Sequence, residues 1–205
     1  MSVAKLVPKQ NNSKTLVISF AGQGMGIGAM PQFEFLNFLN KQFPNTEKHF
    51  YLDKESKWYH KGIDGISTSI SETEVYLRNE INGFDHVIFI GSSAGGYAAI
   101  LFGSLLNVET VLAFRPQTII PAWVSQNKDT EKYINLNAHI NKTTKYVIYG
   151  EMKAGKDQDP YHHISHCENI EEHDNVNIIR MHSVDLRSMR DKGELRGIFS
   201  KFIPN

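Results

Sequence analysis

The sequence predicts an α/β fold, a doubly wound and mostly parallel six-stranded sheet with helices on both faces. Three observations predict it. Six short apolar, β-rich runs alternate with stretches of helical periodicity, which is the pattern of strands joined by crossover helices. The 205 residues, 40% of them hydrophobic, suffice for one well-filled core. The third apolar run opens directly into Gly91-Ser92-Ser93-Ala94-Gly95-Gly96 and then into the helical Tyr97 to Phe102, so strand, tight turn and helix follow in register with a serine at the apex.

The strands are expected at Thr15 to Phe20, Lys48 to Leu52, His86 to Ile90, Thr110 to Phe114, Lys145 to Tyr149 and Val176 to Met181. Helical spacing fills the gaps, with apolar positions at Phe33, Leu36, Phe38 and Leu39, then at Val75, Leu77 and Ile81. Further helical stretches run over Ala98 to Leu106, Tyr133 to Ile140, Tyr161 to Ile170 and Leu186 to Phe202. Residues 1–205 read as one domain whose polar leader, 1–13, is expected to fray. Repeats and low-complexity segments are missing from the sequence.

A turn that lifts a serine above a sheet edge brings the flanking chain so close that the positions two before and two after it must lack side chains, and Gly91 and Gly95 meet that need. The same turn sets the Ala94 N–H at a helix N-terminus, where it can donate to a developing oxyanion. Without chemistry, the segment would be a glycine- and serine-rich βα loop.

Ligands of such sheets bind beyond the carboxyl ends of the strands. In order, those ends carry Ala21-Gly22-Gln23-Gly24, Asp53, Ser93, Arg115-Pro116-Gln117, the segment Gly150 to Asp159, and His182. Serine, acid and histidine therefore occur in that chain order at three strand ends.

Composition narrows the partners. Lys and Arg together number 22, as do Asp and Glu, so no basic stripe points to nucleic acid or to an anionic membrane. Residues 1–12 lack the apolar core of a signal peptide and no apolar run is long enough to span a bilayer, so a cytoplasmic location without membrane insertion is expected. The single cysteine, Cys167, excludes an intrachain disulfide and suits a reducing compartment. Oligomeric state is not encoded in any of these features.

Two rival constellations are weaker. Gly24 to Ala29 fits the GxGxxA spacing of a dinucleotide loop, with Asp53 ending the next strand. Yet Gly24 lies four residues beyond Phe20, Asp53 follows Gly24 by 29 residues where about 20 is usual, and Pro31 interrupts the early helix. His162, His163, His166 and Cys167 form two i, i+4 pairs that point in adjacent directions, with no further ligand cluster nearby, so no metal is expected. Neither a cofactor nor a metal is expected.

The strand-end residues and the phrases Phe50-Tyr51-Leu52-Asp53 with Trp58 downstream, Gly91 to Tyr97 and Val111 to Gln117 resemble the α/β-hydrolase superfamily over nearly the whole chain. The six runs are similar to its last six strands, with its two N-terminal antiparallel strands missing. More narrowly, they look like small bacterial serine esterase domains found beside glycan and surface-polysaccharide machinery or in accessory secretion systems. The resemblance implies a minimal fold without a large lid, Ser93 as nucleophile and His182 as general base. His162, His163 and His166, in the preceding helix, are the competing bases.

One carboxylate is expected to orient the base. Asp159 is favoured, because Asp159-Pro160-Tyr161-His162 is similar to the Asp-x-x-His where such domains enter the next helix; it also suits an N-cap with Pro160 at N1. Asp157 is the alternative acid and Glu151 a third. The second oxyanion donor should be a backbone N–H of Gly22 or Gln23. Arg115 is expected at the pocket edge, and Trp58, Tyr59 and Trp123 as an aromatic floor for a sugar or acyl chain, although a solvated cation and loop packing would serve equally well. The loop Pro116 to Lys128 is the only long candidate cover.

The expected activity is hydrolysis of a small acyl ester, such as an acetylated sugar or glycan, through an acyl-enzyme. An acyltransferase using the same intermediate, or a non-catalytic binding or assembly module on this fold, are the alternatives.

Overall fold

The structure, a computed structural model, describes residues 4–8, 13–23, 33–125, 127–153, 155 and 159–204. Seven strands form one sheet: β1 (Lys5–Leu6), β2 (Thr15–Phe20), β3 (Glu47–Tyr51), β4 (His86–Ser92), β5 (Thr110–Phe114), β6 (Lys145–Glu151) and β7 (Val176–Met181), in the spatial order β1-β3-β2-β4-β5-β6-β7. All neighbours are parallel except β1, which pairs antiparallel with β3 through Lys5 with Tyr51 and Leu6 with Phe50.

The central strands are continuous apolar runs because helices cover both of their faces, leaving no solvent side to encode with polar residues. Every residue of β2 and β5 is buried, and in β4 only His86 reaches solvent. On one face lie α2 (Ile70–Ile81), α3 (Ala94–Leu106) and α5 (Ser165–Glu168), packed around Phe20, Phe89, Phe102 and Tyr146. On the other, α1 (Leu36–Gln42), α6 (Leu186–Asp191) and α7 (Glu194–Phe199) enclose Phe50, Phe114 and Phe199. Nearly the whole circumference of α3 is buried, which explains a helix with no polar stripe.

Local signals set the ends of these elements. Ser69 caps α2 by accepting from the Glu72 N–H, while Glu72 accepts in return from the Thr68 N–H. Asp185 caps α6 through the Arg187 and Ser188 N–H groups. A short α4 (Lys128–Glu131) begins with a reciprocal capping box between Asn127 and Thr130.

Several expectations need correction. The leader contributes β1: the Ala4 carbonyl accepts from the Leu52 N–H at 2.9 Å, and Lys5 Nζ reaches Tyr76 and Glu80, each at 2.6 Å. Thus one antiparallel strand precedes the six predicted, and the part of the leader within 4–8 is held against the sheet edge. The expected helix over 133–140 is two 3-10 turns, Lys132–Ile134 and Asn137–His139, separated where the Asn135 side chain captures the Asn137 N–H. Gly193, at φ 78°, splits the expected helix over 186–202 into α6 and α7. Over 161–170 only Ser165–Glu168 is helical.

Strands β2 and β4 are neighbours, but the chain leaves β2 toward β3 on one side and leaves β4 toward β5 on the other. The loops beyond their carboxyl ends therefore diverge and open a crevice. Ser93 stands in it.

Candidate active site

Ser93 has φ 54° and ψ −123°, a conformation that L-residues rarely adopt. The turn is tight enough to explain its glycines: a Cβ on Gly91 would run into the Gly95 carbonyl, and one on Gly95 into the Phe20 carbonyl. Strain is offset by anchoring, since the Ser93 N–H donates to the Phe114 carbonyl at 2.9 Å and its own carbonyl accepts from Tyr97 N–H at 3.0 Å.

His162 Nε2 lies 2.9 Å from Ser93 Oγ, and both Asp159 carboxylate oxygens lie within reach of His162 Nδ1, at 2.9 and 2.8 Å. A carboxylate only accepts, so Nδ1 carries the proton and Nε2 is left to accept from the serine hydroxyl. Acid and base sit three residues apart on one turn, where the His162 N–H donates to the Asp159 carbonyl at 3.3 Å. His166 braces that turn: its Nε2 donates to the Pro160 carbonyl at 3.0 Å, and its Nδ1 accepts from the Ile119 N–H at 3.4 Å. Burial pushes the His166 pKa down, keeping the ring neutral in this role.

The expectation that His182 faces Ser93 is therefore corrected in favour of His162. His182 is exposed at the end of β7, where its carbonyl accepts from the Lys153 N–H at 3.0 Å and prolongs the β6–β7 ladder. Strand β7 is three strands from β4, about 14 Å across the sheet, and the turn following β6 reaches the serine first. Asp159 is the carboxylate at the imidazole, but it serves His162. Glu151 instead accepts from Arg115 Nη1 at 3.4 Å and from the Val184 N–H at 3.1 Å. Asp157 and the loop Gly24 to Ala29 lie outside the described residues.

Among the expected oxyanion donors, the Ala94 N–H is at the first helical position of α3, free of an intrahelical acceptor by geometry. Gln23 is exposed, whereas the Gly22 N–H already donates to Glu34 Oε2 at 3.2 Å. Gly22 packs tightly on the nucleophile strand, since a Cβ there would approach the Ser92 carbonyl to 2.8 Å. The Glu34 carboxyl group is enclosed although the residue as a whole keeps some exposure. That enclosure raises its pKa to about 7, against the lowering influence of the Gly22 and Ser92 N–H groups and the Arg115 charge.

Arg115, at φ 45°, turns toward Glu151, and its Nε has no hydrogen-bond partner among the described residues. Trp58 and Trp123 meet edge to face with centroids 6.0 Å apart. Trp58 Nε1 donates to Gln117 Oε1, and Gln117 Nε2 approaches Ser93 Oγ at 3.3 Å. The loop Pro116 to Lys128 is pinned to the body: Ile120 and Val124 are buried in the core, and Ile119 bridges Asn135. Sequence reasoning missed Glu34 altogether, and it placed Gln117 beyond a central strand without giving it a role.

No group of three or more potential metal ligands occurs among the described residues, and no helix among them is long and apolar enough to cross a membrane.

No protein-family model matches the sequence, and no curated protein matches it. Solved structures do. The capsule O-acetyltransferase of Neisseria meningitidis serogroup A superposes with a TM-score of 0.68 at 18% identity, over 98% of this chain and 91% of that one. A lidless α/β serine hydrolase from Xanthomonas campestris gives 0.55 at 13% identity over 97% and 86%, and the Gap123 glycosylation-associated complex of Streptococcus agalactiae gives 0.59 at 13% over 96% and 44%. These identities speak to architecture alone, and they agree with the parallel sheet order and the serine turn at its crevice: the chain has a small α/β-hydrolase fold.

Proposed function

We propose that the chain is an acyl-ester enzyme in which Ser93 is the nucleophile, His162 its general base and Asp159 the carboxylate that orients the base. The hydrogen-bonded line from Ser93 Oγ through the His162 ring to Asp159 carries this reading. As Oγ attacks an ester carbonyl, its proton passes to His162 Nε2, and the Asp159 carboxylate stabilises the imidazolium. The Ala94 N–H meets the oxyanion, together with a backbone N–H of the Gly22-Gln23 segment. When the C–O bond breaks, His162 returns the proton to the departing alcohol. Water, activated by the same imidazole, then releases the acid from Ser93.

The substrate class we favour is a small acyl ester, such as acetyl, on a carbohydrate hydroxyl. Hydrolysis and transfer share the acyl-enzyme and differ only in which hydroxyl accepts the acyl group. Transfer has its own support, because a neighbour spanning almost the whole chain is a capsule O-acetyltransferase, of which a variant has been solved with CoA.

A fluorophosphonate probe tests the reading. Wild-type protein should label and Ser93→Ala should not; wild type that neither labels nor turns over p-nitrophenyl acetate would refute it.

A further inference from the structure

Gln117 is 4% exposed and belongs to no step above, yet its side-chain amide points at the nucleophile. Its orientation is unambiguous. The Trp58 indole nitrogen can only donate, so the atom facing it is Oε1, and Nε2 is the atom turned to Ser93. The serine hydroxyl spends its one proton on His162, so Oγ accepts from Gln117.

Trp58 itself is held at a cost. Both Trp58 (φ 52°) and Tyr59 (φ 61°) occupy the left-handed region, a strained backbone for residues other than glycine. Asp53 fixes them by accepting from the Lys57 N–H at 2.6 Å and the Tyr59 N–H at 3.0 Å, and Tyr59 Oη ties the loop to the Ala21 carbonyl at 3.0 Å. These bonds hold two consecutive residues with left-handed backbone and so fix the position of the Trp58 indole. That indole, 4% exposed, abuts Trp123, which is 62% exposed and has Lys57 Nζ 4.3 Å from its ring centroid.

Sheet order tells which oxygen Gln117 serves. Gly22 and Gln23 follow β2 on one side of β4, while Gln117 follows β5 and His162 follows β6, both on the other side. Of the two proposed oxyanion donors, Ala94 follows β4 itself and the Gly22-Gln23 segment lies on the β2 side. His162, which must protonate the departing oxygen, shares its side with Gln117.

We infer that Gln117 is a substrate-binding residue for the alcohol half of the ester, its amide N–H, locked by Trp58, donating to the alcohol oxygen while Trp123 offers a face for a sugar ring. The inference rests on Ser93 being the nucleophile. As Oγ forms its bond to the acyl carbon and yields its proton to His162, the Gln117 N–H passes from Oγ to the alkoxy oxygen whose C–O bond is breaking. Only the hydrogen bond shifts and Gln117 keeps its own hydrogens, while His162 delivers the serine's proton to that oxygen as the C–O bond breaks, so the alcohol leaves neutral.

Gln117→Glu keeps an acceptor for Trp58 and removes the donor; Trp58→Phe removes the lock. Each should be compared with wild type on p-nitrophenyl acetate and in the sugar reaction, either hydrolysis of acetylated methyl glucoside or acetyl transfer from p-nitrophenyl acetate onto methyl glucoside, whichever wild type performs. Both variants should lose at least tenfold more kcat/KM in the sugar reaction than on the aryl ester. Equal losses, or wild type that labels with fluorophosphonate but uses the sugar in neither direction, would overturn the assignment of Gln117 and leave Ser93 standing. Wild type that fails to label removes both. Fluorophosphonate labelling of the variants separates loss of selectivity from loss of fold, and if Gln117→Glu does not label, the outcome for Trp58→Phe decides.

Discussion

His162 Nε2 and Ser93 Oγ lie 2.9 Å apart across 69 residues of sequence, and the turn that carries His162 also carries its carboxylate. Replacing His162 by Ala should lower kcat/KM for p-nitrophenyl acetate by roughly 10²–10⁴, the usual worth of a positioned general base. His182→Ala should stay within about twofold of wild type. The two steady-state measurements, made side by side, decide between the histidines, and a large loss in the His182 variant would count against the geometry.

Asp159→Asn should cost activity while leaving the fold intact, because Asp159 is partly exposed and its ion pair among the described residues is with His162. An expected loss of roughly 10⁴ in kcat with unchanged thermal stability separates orientation of the base from general damage.

Glu34 predicts a pH dependence of stability. Its carboxyl group titrates near 4.5 in the unfolded chain and near 7 in the folded one, so the folded state binds the extra proton between those values. Its contribution is complete below about pH 4.5 and is lost as pH rises through 7, a change on the order of 3 kcal/mol. Melting temperatures of wild type should fall between pH 5 and 8, and Glu34→Gln should flatten that fall. An identical slope in the variant would place the effect elsewhere.

Glu80 predicts the opposite limb. Burial would raise its pKa, but hydrogen bonds and charges from His49 and Lys5 outweigh it and bring the group to about 2. Its stabilising contribution is therefore present above pH 4.5 and lost as pH drops through 2. Glu80→Gln should lose that acid limb and loosen β1, read as faster amide exchange at Leu52.

Gly95→Ala should be severely destabilising, since its methyl group would enter the space of the Phe20 carbonyl, where the first turn of α3 is packed against the end of β2. A loss of about 3 kcal/mol, or roughly 6–12 °C in Tm for a chain of this size, is expected by thermal melt.

The central strands were legible because burial on both faces writes β2, β4 and β5 as unbroken apolar runs, and the elbow because its steric demand falls on two glycines close in sequence. Strand β1 was not, as two residues carry no period. His162 was obscured for a different reason. The spacing from Tyr161 to Ile170 suggests a helix face, and chain order at the strand ends favours His182, while the choice between them depends on lateral distance in the assembled sheet. Glu34 and Gln117 acquire their meaning from enclosure and from Trp58, both contributed by distant segments.

Placing base and acid on the turn after β6 has a consequence for the chain beyond it. Every group that exchanges a proton in the proposed reaction is in place by residue 162, so β7, α6 and α7 are structural neighbours of the chemistry without being parties to it. What constrains their sequence is packing and capping: Val184, Met189, Leu195, Phe199 and Ile203 must cover their face of the sheet, and Asp185 must start α6.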